Sequence, residues 1–233
     1  MKKQKEVNPK YLVAGVFVII LLIGLVIYHY GNRDNGFDSY KIQKNQYIVY
    51  DLYSYQENHI PMINLKGDTI SLVNQEIQTK TEAFLKESPN IVTYQYDLTG
   101  NVLSVAIQYL NLEEKEPVVS YDVYHINVYT GELYTDSDIY QMYSVSLEEV
   151  SLVVKSRFQE FYKELFEEHY FDEECDYECF LYMRGIVEEN YMEDAHAYIK
   201  DGNLYIIKVF QIYSPFHEED YFSFQDFLIQ ITE

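Results

Sequence analysis

The chain has 233 residues, with 38 acidic and 17 basic side chains and a net charge of −21. This length has room for one membrane anchor and one domain of ordinary size. A strongly acidic surface repels nucleic acid and favours cationic partners, so we expect no nucleic-acid partner. Solubility alone is the other explanation of the charge.

An apolar segment near the N-terminus predicts a membrane anchor. Residues 11–30 read YLVAGVFVIILLIGLVIYHY and contain no Lys, Arg, Asp or Glu. About 20 residues at roughly 1.5 Å rise each span the ~30 Å hydrocarbon layer. A cleaved signal peptide has a shorter apolar region followed by small residues. We therefore expect one retained transmembrane helix.

The flanking charges predict the orientation of this helix. Four lysines and one glutamate precede it, and basic flanks stay on the cytoplasmic side. The first ten positions hold four of the 17 basic and one of the 38 acidic residues, and the helix holds none. Residues 31–233 therefore carry 13 basic and 37 acidic residues, a net charge of −24. We expect a cytoplasmic basic tail (1–10), the anchor (11–30), a polar stalk (31–45) and an acidic extracytoplasmic domain (46–233) on a bacterial cell membrane.

Hydrophobic periodicity predicts the elements of this domain. A β-rich segment at 46–56 is followed by Asn58–Pro61, which we read as a break. Ser146 and Glu149 form a capping box at the start of the strongest helix. The predicted elements are a strand at 46–56, a helix at 69–86, strands at 91–96, 102–109 and 118–129, a helix from Ser146 to about His169, strands at 195–200 and 204–213, and a last strand at 222–231.

These elements predict an α+β domain in which two main helices pack on an antiparallel sheet. The alternating pattern of the strand at 118–129 does not decide which of its two faces is buried. One face carries Tyr121, Val123, His125 and Asn127, and the other carries Tyr124, Ile126 and Val128. The 26 tyrosines and absence of tryptophan suit half-buried strands. Stacking of exposed rings on carbohydrate or peptide is the alternative.

The two cysteines, Cys175 and Cys179, belong to an acidic loop on the predicted oxidising side of the membrane. A local disulfide is our first interpretation and reduced thiols are the second, because two thiols are too few ligands for a metal. The surrounding acidic residues form a candidate patch for a basic partner or a calcium ion, or are merely a solvated helix end and loop. They are Glu167, Glu168, Asp172, Glu173, Glu174, Asp176 and Glu178.

Motifs for catalysis are not found in the sequence. Asp136 and Asp138 begin like a calcium loop, but Gln141 and Leu147 stand where that loop needs Gly and Glu. His217 lacks the second His of a zinc-protease helix, and no G-x-S-x-G elbow occurs. We expect a protein without cofactor or metal and without enzymatic activity. A hydrolase with an unrecognised acidic site is the third-ranked interpretation.

Several short segments together resemble a known bacterial extracytoplasmic domain. These are HIPMIN (59–64), the run 70–77, YHINVYTGEL (124–133) with Asp138 and Ile139, YIKDGNLYII (198–207) and YSP (213–215). The chain from about 46 to 231 thereby resembles the domain shared by RsiV-type anti-sigma factors and the accessory region of PdaC-type peptidoglycan deacetylases. The motifs are structural rather than catalytic.

This resemblance implies a sensing or wall-binding domain. Ten residues before the anchor are too few for a sigma-binding segment, and the separate metal-binding deacetylase domain of the family is not matched. Related anti-sigma factors bind cationic, lysozyme-type enzymes. Our first hypothesis is therefore a non-enzymatic binding module for peptidoglycan or a lysozyme-like cationic protein. The runner-up is a structural or assembly role, in which the anchor or a sheet edge pairs with another membrane protein.

Overall fold

The described part of the chain is an α+β domain. The computed structural model describes residues 48–55, 57–86, 89–112, 117–168, 170–171, 175–214 and 221–232. The predicted anchor, tail and stalk lie outside these residues. Among the helices that are described, none combines the length and the apolar character needed to cross a bilayer.

Four helices and nine strands occur in the described residues. The helices are α1 (Asp68–Phe84), α2 (Asp136–Met142), α3 (Leu147–Glu167) and α4 (Tyr177–Glu188). The strands are β1 (Val49–Tyr55), β2 (Asn58–Ile63), β3 (Ile91–Thr99), β4 (Val102–Asn111), β5 (Val118–Asn127), β6 (Leu133–Tyr134), β7 (His196–Lys200), β8 (Asn203–Ser214) and β9 (Tyr221–Gln230).

The strands form three antiparallel sheets rather than one. β1 pairs with β2, the second sheet has the order β3-β4-β5-β6, and the third has the order β7-β8-β9. The turn between β7 and β8 places Asp201 and Gly202 at φ 51° and 82°. Positive φ at both central residues is the pattern that favours a tight hairpin with Asp-Gly, so this predicted hairpin is confirmed.

The core has four layers, because both larger sheets are covered on both faces. Leu103, Val105 and Ile107 of β4 pack with Ile70 and Ile77 of α1. The opposite faces of the two sheets meet in a small cluster, which contains Ala106, Tyr121, Tyr198 and Ile207. The far face of the third sheet packs against α3 and α4 through Leu204, Ile206, Phe210 and Ile212.

The helix α3 forms for the reason that its sequence predicts. The Ser146 side chain accepts from the backbone N–H of Glu149, and the Glu149 carboxylate accepts from the backbone N–H of Ser146. Val150, Val154, Phe158, Phe161 and Leu165 then recur at helical spacing and are buried. The predicted capping box and helix are thus confirmed.

Besides the single predicted sheet, two further parts of the predicted fold are wrong. Residues 58–61 belong to strand β2 and do not form the predicted break. Pro61 of this strand pairs with Asp51 of β1, and the β1–β2 register shifts directly after that pair, between Asp51 and Tyr53. A bulge absorbs the hydrogen-bonding defect of a proline within a strand. The domain also contains α2 and α4 besides the two predicted helices. The segment after Cys175 is therefore helical rather than a loop.

Polar side chains connect the two larger sheets. His125 of β5 is buried, and its Nε2 lies 3.1 Å from the backbone carbonyl oxygen of Ala197 in β7. A carbonyl oxygen only accepts, so Nε2 donates to it, while Nδ1 forms a hydrogen bond with the Ser104 hydroxyl at 2.9 Å. At a second position, Tyr121 and Gln108 both donate to the carboxylate of Asp226 in β9.

We expect His125→Ala to lower the free energy of unfolding by about 3 kcal/mol, because it opens a cavity and leaves buried polar partners without hydrogen bonds. The matched control is His59→Ala. His59 contacts Ser54 on the exposed β1–β2 hairpin, and its loss should cost less than about 1 kcal/mol. Urea unfolding followed by circular dichroism measures both. Equal costs would contradict a special role for His125 between the sheets.

Candidate interaction surface

The structure divides the predicted acidic patch between two helices. Glu167 and Glu168 end α3, whereas Asp176 and Glu178 begin α4. The remaining members of the patch, 172–174, lie outside the described residues. All four described carboxylates are exposed. The two helix ends that carry them lie close together, so this part of the patch is a continuous surface feature.

Aromatic packing brings these helix ends together. The ring of Phe166 in α3 lies 4.8 Å from that of Phe180 and 6.2 Å from that of Tyr177, both in α4. Phe180 is buried, and Phe171 packs beside it at a ring separation of 6.5 Å. Rings at these separations attract one another beyond their simple burial. The position of α4 is therefore fixed at its first turn.

The N-terminus of α4 is capped by Asp176 and bordered by both cysteines. One oxygen of the Asp176 carboxylate accepts from the backbone N–H groups of Glu178 and Cys179, at 3.1 and 3.0 Å. The Cα atoms of Cys175 and Cys179 lie 5.5 Å apart and their sulfur atoms are in contact. This Cα separation is the usual one for a disulfide. A bond here would close the first turn of the helix.

Apolar side chains occur on both the inner and the outer face of α4. Phe180, Met183 and Val187 are buried in the core. Four further side chains of the helix keep much of their surface exposed, namely 60% (Tyr177, which also touches Phe166), 36% (Leu181), 66% (Tyr182) and 38% (Ile186). We call these four residues, with Asp176, Glu178 and Glu189, the α4 surface. Large apolar side chains exposed together on one helix are typical of an interaction site.

The charge of the α4 surface is negative. Asp176, Glu178 and Glu189 are exposed, and the neighbouring Glu188 is half-buried. The one basic residue of this helix, Arg184, lies 3.4 Å from Glu188 and stacks over Phe180, so its charge is already compensated. Lys163 similarly neighbours Glu167 at 3.5 Å. Because Asp176 already caps the helix, Glu178 and Glu189 are the carboxylates of the α4 surface that remain for a cationic partner.

One buried arrangement contains the residue types of a hydrolase triad. Ser104 contacts His125, whose Nε2 lies 3.6 Å from a carboxylate oxygen of Asp136. A nucleophile must reach substrate, but Ser104 has no exposed surface. Asp136 also accepts from the backbone N–H of Ala197 at 3.2 Å. The Ser104 hydroxyl is therefore closed to a substrate in this structure, and the group joins the two sheets.

The candidate calcium segment is the start of α2. The Thr135 side chain and the Asp138 carboxylate cap this helix reciprocally. Hydrogen bonds from the Thr135 hydroxyl and backbone lower the pKa of Asp138. Across the described residues, no group of three or more His, Cys, Asp or Glu side chains is arranged to hold a metal ion.

The comparisons with known proteins supply no relative for this chain. No protein-family model matches it, and a search of curated proteins finds no match. The interpretation of the α4 surface therefore depends on its own residues. Asp176 and Glu178 of this surface belong to the acidic patch predicted from the sequence, whereas Glu189 does not. The apolar half of the surface, from Leu181 to Ile186, was missed because exposed and buried apolar residues look alike in a helical segment.

We predict that Cys175 and Cys179 are disulfide-bonded in the full-length chain purified from a bacterial membrane. Closing so short a loop should stabilise the fold by roughly 2 kcal/mol. Alkylation in denaturant without reductant should add no adduct to the intact mass, and two adducts should appear after reduction. Two adducts without reduction would show that the thiols are free. A Cys175→Ser, Cys179→Ser double variant controls for effects of the reductant on unfolding.

Proposed function

We propose that this protein is a membrane-anchored, non-enzymatic binding module whose α4 surface captures a cationic protein outside the cytoplasm. The observation that carries the proposal is the α4 surface itself, where exposed tyrosine, leucine and isoleucine side chains alternate with carboxylates on one helix. Its partner should be basic and should bring apolar or aromatic side chains of its own.

The two components of the α4 surface have different roles in binding. Tyr177 and Tyr182 are large, have only two side-chain torsions, and combine an apolar ring with a hydroxyl. Such residues supply most of the binding energy at protein interfaces. The carboxylates around them, together with the net charge of −24 on residues 31–233, attract a cationic partner during diffusion and accelerate association.

The N-terminal sequence supports a location at the membrane. The uncharged run at 11–30 and the lysines before it are the features expected of an anchor with a cytoplasmic N-terminus. The resemblance to RsiV-type and PdaC-type extracytoplasmic domains supports a ligand in the cell envelope. A lysozyme-like basic enzyme suits the α4 surface better than uncharged peptidoglycan strands do, because only the former uses both charge and apolar contact.

The edge strand β1 favours a second candidate function, assembly with another membrane protein. In the described residues β1 pairs with β2 on one side only. Tyr50, Leu52 and Tyr53 of this strand are exposed. An open edge of this kind can accept a strand from a partner. Crosslinks that map to β1 in intact membranes, with no capture of basic proteins, would favour assembly over binding by α4.

The first test measures binding of a basic lysozyme to the immobilised full-length chain in mild detergent. We expect Tyr182→Ser to weaken binding about 10-fold, because it removes an exposed apolar anchor without disturbing the core. The control is Tyr129→Ser, since Tyr129 is 83% exposed at the β5–β6 turn, outside the α4 surface. This control should change the affinity less than about twofold.

Ionic strength provides the second part of this test. Raising the salt concentration from about 50 mM to about 500 mM should slow association markedly, because it screens exposed charges. A Glu178→Gln, Glu189→Gln variant should reduce that salt dependence, whereas Glu57→Gln on the β1–β2 turn should leave it unchanged. The proposal is wrong if lysozyme does not bind, or if both tyrosine variants weaken binding equally.

The location has a separate test. We expect the full-length chain to stay with the membrane after carbonate extraction. Protease added outside intact cells should digest residues 31–233 and spare a tag at the N-terminus, because basic flanks stay inside. Release by carbonate would contradict the anchor, and a digested N-terminal tag with a protected domain would contradict the orientation.

A further inference from the structure

A cavity of about 320 Å³ lies beyond the C-terminal end of α4. Its walls come from α1, α3, the inner face of α4 and the residues after it, and from β5, β7, β8 and β9. Aromatic side chains provide the apolar part of the wall, namely Phe158, Tyr191, Phe210 and Phe224. This volume is within the lower part of the range for small-molecule sites. The outer face of α4 does not contribute to this cavity.

A buried lysine lies in the wall of this cavity. Lys208 is 5% exposed and occupies a core position of β8, two residues from Ile206 and from Phe210. Its ammonium donates to the backbone carbonyl oxygens of Asn190, at 3.4 Å, and of Glu193. Burial lowers the pKa of Lys208, while the charges of Asp194 and Glu193 act in the opposite direction.

These two carbonyl contacts do not account for a lysine at this position. An ammonium has three donors, and two neutral carbonyl oxygens leave its charge uncompensated by any direct ion pair with a described residue. A buried charge without a counter-ion is costly. A carboxylate that entered the cavity would provide the missing acceptor and the missing opposite charge.

The other charged groups of the wall restrict the ligand further. Glu193 and Asp194 also line the cavity, so a purely anionic ligand would be repelled by them. Lys80 and Asp122, which line it as well, already pair with each other at 2.6 Å. The charged groups that remain are the Lys208 ammonium and the two carboxylates at 193 and 194, which already attract one another through space. A ligand with a carboxylate and an ammonium complements both signs.

We propose that this cavity binds a small zwitterion with an apolar side chain, the chemistry of a free α-amino acid. The ligand carboxylate accepts from Lys208, and its ammonium faces Glu193 and Asp194. Its side chain lies beside Phe158 and Phe210, which are on the same face of the third sheet as Lys208. The backbone of Asp194 has a left-handed φ of 52°, a conformation that Asp tolerates better than most residues, and this turn presents the Glu193 carbonyl to Lys208. This site does not depend on the function of the α4 surface.

Equilibrium dialysis of the full-length chain in mild detergent tests this proposal, with radiolabelled L-phenylalanine and L-leucine as probes. We expect saturable binding of at least one with a Kd of about 1 mM or tighter. Competition by analogues that lack one charged group should show whether both charges of the ligand contribute to binding. Phenethylamine, which lacks the carboxylate, and 3-phenylpropionate, which lacks the ammonium, should each compete at least about 10-fold less well than L-phenylalanine.

Two lysine variants form the matched pair. Lys208→Met keeps the length and apolar character of the side chain and should weaken binding at least about 10-fold. Lys66→Met removes an exposed lysine that does not line the cavity and should leave binding within about twofold. Circular dichroism establishes that each variant is folded. If Lys208→Met does not fold, the competition series with the unmodified chain decides the question.

Three results would overturn the proposal. The first is the absence of saturable binding by both amino acids, and the second is equal competition by phenethylamine. The third is a folded Lys208→Met variant with unchanged affinity. Because none of these measurements involves lysozyme, failure of this site and failure of the α4 surface are distinguishable.

Discussion

The packing of the β3–β6 sheet against the β7–β9 sheet is the contact on which the remaining structure depends. Each sheet buries one face on helices and the other face on its neighbour, so polar side chains between the sheets must find partners there. His125 reaches the backbone of β7, and Asp226 accepts from Tyr121 across the interface. These directional bonds favour one arrangement of the sheets. The helix α4 is held in place by packing against the outer face of that arrangement.

The four-layer arrangement explains why the sequence predicted most elements but not their assembly. Strands and hairpins follow from local β-formers and turns, and α1 and α3 follow from one-sided apolar periodicity. The sequence left open which face of β5 is buried because both are: Ile126 faces α1, and His125 faces the third sheet. A single sheet covered by helices on one side was the simpler prediction. Which strands pair, and which sheets stack, depends on contacts distant in the chain.

The α4 surface was also only partly predictable. Carboxylates near the cysteines are evident in the sequence, and the structure places Asp176 and Glu178 at the start of a helix. The exposed position of Tyr182 depends on which face of α4 packs, and both faces are apolar. Tyr182 is an apolar side chain that is exposed, and Lys208 is a charged side chain that is buried. A lysine in a strand predicts a solvent-facing position, whereas here the end of α4 and the following turn cover it.

Hydrogen–deuterium exchange of the full-length chain, with and without a saturating basic lysozyme, tests the central claim most directly. Backbone amides exchange more slowly where a partner orders or covers the surface. We expect the added protection to be concentrated in residues 176–189, with little change in β1 or in the β3–β6 sheet. Protection confined to β1, or no change in α4 at a lysozyme concentration that gives measurable binding, would contradict it.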